Sequence, residues 1–140
     1  MKKTNEVSKI VGVSRRTIQY YDDEGLLMVE RAPNNQRLFD EHALTRIWEI
    51  LIYKEMNLEL KEIKCLLGLE EDQKKRYLEN HMKEIGKEIT KLQVQMGFIS
   101  LVQIYGMPEA PTAESGKTYV KRIEELRKKI KMEVMKGKGK

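Results

Sequence analysis

Apolar side chains recur at Leu78, Met82, Ile85, Ile89, Leu92, Met96 and Ile99, in alternating steps of four and three without a break. Steps of that kind keep one stripe on one side of an α-helix, the a and d positions of a heptad seam. At about 1.5 Å per residue, a helix from Leu78 to Ile104 is roughly 40 Å long. No other periodic stretch of the 140 residues is long enough to cover such a stripe. The seam therefore predicts pairing with a second copy; the alternative is packing against a helix of the same chain. Only 6% of residues are aromatic and 35% are charged. That balance argues against one large compact core and for a helical, partly elongated molecule.

Upstream of the seam the elements are short. Thr4 can cap a first helix, Asn5 to Val11, stopped by Gly12, and Ser14 can cap a second, Arg15 to Asp23, stopped by Gly25. From Leu27 to Phe39 the period changes to two short extended runs around Ala32-Pro33-Asn34-Asn35, which is turn chemistry and predicts a small hairpin. Asp40 can cap a third helix to about Glu55, with Leu44, Ile47, Trp48, Leu51 and Ile52 at helical spacing. A fourth, about Leu60 to Leu67, is expected to bury Leu60, Ile63, Leu66 and Leu67, and Gly68 ends it. After the seam, residues 106–116 read as a linker, and Tyr119, Ile123, Leu126 and Ile130 mark a short amphipathic helix. The terminal KGKGK is expected to be disordered. Three segments result: 1–70, 71–105 and 106–140. No internal repeat is visible.

The formal charge is +5, but its distribution matters more: residues 1–70 carry a net of −1 and residues 71–140 a net of +6. Met1 to Tyr21 nevertheless holds Lys2, Lys3, Lys9, Arg15 and Arg16 against the single acid Glu6. The basic patch that would face a polyanion is local. Met1-Lys2-Lys3 is not followed by an apolar run, no stretch approaches the roughly eighteen apolar residues of a membrane span, and one cysteine allows no intrachain disulfide. These features predict a cytoplasmic chain with no membrane partner.

The first two helices fit together as a helix-turn-helix. Ser8 is a small residue for the contact, Gly12 suits the tight turn, and Val7, Val11, Val13, Ile18 and Tyr21 supply an apolar set to fix the second helix. Arg15, Arg16, Gln19 and Tyr20 are then left on its exposed face. Arg and Gln near the start of a helix in the major groove reach base edges or phosphates, and a tyrosine hydroxyl can bond phosphate while its ring packs. Asp22, Asp23 and Glu24 follow at the helix exit, the unfavourable end of the dipole for acids. Nothing in the sequence accounts for them.

The run TNEVSKIVGVSRRTIQYYDDEGLL resembles the opening of MerR-family transcription regulators. The likeness continues through Arg31 and Gln36-Arg37-Leu38-Phe39 to a helix pair ending MNLELKEIKCLLGL, about half the chain. It implies a mainly α fold: a winged helix-turn-helix domain, a long antiparallel coiled-coil dimerisation helix, and here a short C-terminal helix. It also implies a homodimer on promoter DNA with an overlong spacer, bent and untwisted so that RNA polymerase engages both promoter elements. By position, Arg16 and Tyr20 match contacting residues and Arg37 the wing arginine, while Arg15 falls where members vary. The candidate DNA-contacting set is Arg15, Arg16, Thr17, Gln19, Tyr20 and Arg37. Gln19 departs from the family, which has an arginine before the tyrosine pair, and Gln36 and Phe39 stand where tyrosines are common.

Other features are weighed on chemistry. Cys65 is either an inert thiol or, as the family resemblance implies, a redox or electrophile sensor. Metal-sensing relatives carry cysteines at both ends of the dimer helix; this chain has none there, and His42 and His81 stand apart, so no metal or cofactor is expected. The apolar set Met96, Phe98, Ile99, Leu101, Val102, Ile104, Tyr105 and Met107 is denser than one seam needs. Either the last helix folds over it, or an effector pocket lies there, for which Phe98 and Tyr105 are candidates. No nucleophile–base pair, phosphate-cradling loop or catalytic carboxylate pair is present, so an enzyme is not expected. The expected function is effector-responsive transcription regulation; the alternatives are an architectural DNA binder and a coiled-coil adaptor with a degenerate head.

Overall fold

The computed structural model describes residues 1–138. They fall into two compact units, divided between Lys74 and Lys75.

The first unit is a helix-turn-helix with a wing. Helix α1 (Thr4–Val11) and helix α2 (Arg15–Asp23) meet across a turn at Gly12, whose φ of 85° is a conformation that favours glycine. The Gly12 N–H donates to the Ser8 carbonyl at 2.9 Å, and the Ser8 hydroxyl donates to the Val13 carbonyl at 2.6 Å. Ser8 is thus a tie across the turn as well as a small contact residue. Ser14 caps α2 as its sequence predicts, its Oγ accepting from the Thr17 N–H at 3.1 Å, a bond type that contributes about 1 kcal/mol. Val7, Ile18 and Tyr21 from these helices are buried.

Thr4 is not the cap of α1. Lys3 is, because Lys2–Lys3 forms a short strand, β1, which leaves Thr4 inside the first turn. The Lys3 N–H is held by the Glu6 carboxylate at 3.3 Å. Strand β3 (Arg37–Phe39) lies between β1 and β2 (Glu30–Arg31) in an antiparallel sheet, with Lys2 opposite Phe39 and Glu30 opposite Leu38. The hairpin is therefore the expected one with an unforeseen third strand. Its turn closes through Asn35, at φ 69°, with the Ala32 N–H donating to the Gln36 carbonyl at 2.8 Å.

Helix α3 (Glu41–Glu55) is capped by Asp40, which accepts from the Ala43 N–H at 2.8 Å. Its buried face is Ala43, Ile47 and Ile50. The expected stripe is displaced: Trp48 is 65% exposed and Ile52 40%. Small Ala43 lets α3 lie close to α1 and β3, and that contact sets the rotation. Helix α4 (Leu60–Leu67) buries Ile63 and Leu66 fully, while Leu60 and Leu67 are only half-buried.

The second unit holds most of helix α5 (Glu71–Tyr105) and helix α6 (Tyr119–Lys138), joined by a loop with one 3-10 turn, Ala113–Ser115. The linker and last helix, separated from the long helix in the sequence reading, thus share a unit with it. Val94 and Ile130 are buried between them, and a Cβ on Gly97 would overlap the Ile130 Cγ2. The last helix does fold over the dense apolar set, but it takes the Val94–Gly97–Phe98 face. The heptad stripe on the other side stays open, with Met82 73% and Met96 65% exposed. Helix α6 also runs past Ile130, so it is longer than its apolar pattern predicts. Lys136 to Lys138, expected to be disordered, are its last turn; Gly139 and Lys140 of that tail lie outside the described residues.

Candidate nucleic-acid interface

Helix α2 is fixed from beneath and free above. Ile18 and Tyr21 are buried, which turns Arg15, Arg16 and Tyr20 to solvent, with Gln19 and Thr17 half-buried. Thr17 is partly engaged: its hydroxyl lies 2.8 Å from the Ser14 hydroxyl and its N–H closes the cap.

A cleft of about 450 Å³ opens between α2, the start of α1 and the wing. Arg15 and Gln19 line one side, Lys3 and Asn5 a second, and Arg31, Gln36 and Arg37 the third. Three elements distant in sequence thus bring cations and amides to one concave surface. Arg16 and Tyr20 lie on the same helix outside the cleft. Lys3, read in the sequence only as part of the amino-terminal basic patch, and Asn5 were not among the candidate contacting residues. They reach the site because β1 pairs with β3, and a two-residue strand carries no periodicity by which to find it.

Arg37 is half-buried and tied to two carboxylates. Its Nε donates to Asp22 Oδ2 at 2.8 Å and its Nη2 to Asp23 Oδ1 at 3.0 Å. The hydrogen bond to Asp22 pushes the Arg37 pKa above its ordinary value against the opposing effect of burial, with the charges of both acids assisting. Asp22 also lies 3.8 Å from Arg31, whose Nη1 donates to the Asn35 carbonyl at 2.8 Å. This accounts for Asp22 and Asp23 at the exit of α2. Their unfavourable place on the helix dipole is offset by two guanidinium groups from the wing, and the pairs clamp the wing to the end of the helix. A direct DNA contact by Arg37 would have to be made while its guanidinium serves two carboxylates.

The remaining candidates do not converge. Cys65 is exposed on α4 in the first unit. Phe98, in the second unit, borders two grooves between α5 and α6, whereas Tyr105 is 83% exposed and lines neither. Among the described residues no three His, Cys, Asp or Glu side chains gather as metal ligands, and no helix is long and apolar enough to cross a membrane.

Known proteins share this arrangement. The sequence pattern of the MerR HTH family of regulatory proteins matches residues 3–69. The chain is 33% identical over 107 residues to the HTH-type transcriptional regulator ZntR homolog of Haemophilus influenzae, covering 71% of this chain and 79% of that protein. It is 35% identical over 92 residues to the multidrug-efflux transporter 2 regulator of Bacillus subtilis, covering 64% of this chain but only about a third (34%) of that relative's length. The crystal structure of the N-terminus of MtaN, the Bacillus subtilis multidrug transporter activator, matches with a TM-score of 0.67 at 27% identity, over 74% of this chain and 99% of that one. With the winged helix-turn-helix, the long helix and these relatives together, the chain belongs to the MerR family of helix-turn-helix regulatory proteins.

Proposed function

We propose that the protein is a dimeric, sequence-specific DNA-binding transcription regulator that acts in the cytoplasm by distorting promoter DNA. The observation that carries this reading is the cleft, where Arg15 and Gln19 of a firmly seated helix face the same space as Lys3 and Arg31. Gln19 suits an adenine edge, whereas Arg15 suits guanine or phosphate. Arg16 and Tyr20, beside the cleft, suit the flanking phosphates. The wing clamp sets the angle between helix and hairpin before DNA arrives.

The open heptad stripe supports dimerisation, because among the described residues Met82, Ile85, Ile89, Leu92, Met96 and Ile99 are exposed and extend a long apolar face from half-buried Leu78. Two heads joined by such an arm engage two half-sites only at a set separation and angle. DNA that does not present them so must bend, at a cost of about 1–6 kcal/mol. RNA polymerase is the partner that then reads the distorted promoter. The second unit is the place for a signal. An apolar groove of about 340 Å³ between Phe98, Val102, Pro108, Tyr119 and Ile123 supports effector entry there. An effector acts only through its differential affinity for two head geometries.

Transcription from the protein's own promoter, with the spacer intact and with two base pairs removed, tests the mechanism. Distortion predicts activation of the intact promoter, high basal transcription from the shortened one, and repression of the latter by the protein. Low basal transcription from the shortened promoter with continued activation would replace distortion by direct recruitment of polymerase.

A further inference from the structure

The larger groove of the second unit, about 960 Å³, runs along α5 from Lys83 to Phe98 beneath the end of α6. Its apolar lining is Val94, Phe98 and Met135, and its charged lining has one sign. Lys83, Lys87 and Lys91 stand four residues apart on α5, and Arg127 and Lys131 face them from α6, while no acid lines the groove among the described residues. Lys87 reaches Glu84 at 3.2 Å on the open surface; the other four cations have no carboxylate partner among the described residues. By contrast, Lys117 and Arg122, nearer the start of α6, share Glu125, whose pKa they draw down, chiefly through the Lys117 hydrogen bond.

Gly86 supplies an independent observation. A glycine inside a helix costs stability relative to alanine, so a packing reason is sought. At Gly97 there is one, because Ile130 occupies the space of a side chain. At Gly86, which lines the groove, nothing lies within 4 Å of where a Cβ would stand. The space is kept open by a residue that no neighbour in the chain requires.

We propose that this groove binds a small anionic amphiphile, its apolar body against Val94, Phe98 and Met135 and its acid group held by the lysines that line the groove. Five cations along one groove repel one another, and an anion relieves that repulsion. The apolar floor rewards a ligand with a hydrocarbon or aromatic body over a bare inorganic anion. The stretch of α5 from Lys83 to Phe98 is roughly 22 Å long at about 1.5 Å per residue, room for a medium-length acyl chain. The site shares Phe98 with the Val102–Tyr119 groove but is otherwise separately lined, and it does not depend on the DNA-binding reading.

The test uses the full chain and no DNA. Anilinonaphthalene sulfonate, a fluorescent anionic amphiphile, is titrated in, then displaced with dodecanoate or dodecyltrimethylammonium below their micellar concentrations. Displacement by dodecanoate and not by the ammonium compound is expected. The double variant Lys83→Gln, Lys131→Gln should weaken dodecanoate about tenfold or more, the scale of a lost charge-assisted contact. Gly86→Leu, which fills open space with a better helix former, should weaken it similarly while sedimentation shows an unchanged oligomer. Equal displacement by both compounds would reduce the site to unselective apolar binding and overturn the proposal. So would unchanged dodecanoate affinity in both variants. A change of oligomeric state in Gly86→Leu would assign the glycine to a subunit interface and also overturn it.

Discussion

The two units solve the same problem to different extents. The head closes its core: Val7, Ile18, Tyr21, Phe39, Ile47, Ile50, Ile63 and Leu66 come from five elements, and each is essentially removed from water. Among the described residues the arm buries just Val94 and Ile130, less completely than the head buries its core, and leaves the apolar heptad positions from Met82 to Ile99 open. A core drawn from several directions excludes water from all its members, whereas two helices side by side cover one stripe each. The head can therefore be a folding unit by itself, whereas the arm carries an exposed apolar stripe that the proposed dimer would cover. Such a division suits a protein whose head must present a fixed surface to DNA and whose arm must set the distance between two heads.

The largest effects should separate the units. Ile89→Asp places a charge without a partner in the middle of the proposed seam, at a cost of several kcal/mol if the site is buried in a dimer. Sedimentation should show monomers, while the hydrogen-exchange protection of the head remains. A variant that stays dimeric would put the subunit interface elsewhere. Gly97→Leu acts within one arm, driving a side chain into Ile130. Overpacking of this kind costs about 1–3 kcal/mol. Amide protection in α6 should fall, with the head unaffected; unchanged protection would mean that the two helices yield easily and are not a single packed pair.

Asp22→Ala tests the head at its one charged joint. The substitution removes an acid from beside the DNA face, which on charge alone should raise affinity for any duplex. It also unties Arg37 and Arg31. Hydrogen bonds to charged groups contribute about 1.5–3 kcal/mol, and this pair is partly solvated, so about 1 kcal/mol of wing stability is the expected loss. If the clamp sets the wing, operator affinity drops in spite of the charge change. A rise in affinity would show that Asp22 acts as a simple repulsive charge.

What was legible in the sequence tracks how local the determining physics is. The Ser14 and Asp40 caps, the Gly12 turn and the Asn35 turn each rest on residues within a few positions, and all were readable. The strand at Lys2–Lys3 was not, because it exists only through pairing with Arg37–Phe39 more than thirty residues on. That one pairing displaced the predicted cap at Thr4 and brought Lys3 and Asn5 to the cleft. The face of α3 was misplaced for a related reason: Ile47 belongs to both candidate stripes, and only the approach of α1 and β3 favours Ala43 and Ile50 over Trp48 and Ile52. Asp22 and Asp23 had no local explanation since their partners lie in the wing.

The smallest expected effect distinguishes two arginines that the sequence treats alike. Arg16 is exposed on α2 with no carboxylate partner among the described residues, so on binding DNA it would displace condensed counterions from a phosphate. Arg16→Ala should then make the slope of log affinity against log salt shallower by about 0.9, one phosphate's worth. Arg37 has already neutralised its charge against Asp22 and Asp23. Arg37→Ala should lower affinity through a looser wing, yet leave the salt slope nearly unchanged, because no counterion release is lost with it. The two variants may be compared on one operator from low to moderate salt, where the affinity change at any single concentration is modest but the slopes are distinct. Equal slopes for Arg16→Ala and the unaltered protein would move Arg16 from phosphate to base reading. A shallower slope for Arg37→Ala would show that the guanidinium leaves its carboxylates for a phosphate in the complex, so that the clamp observed in the free protein opens on DNA.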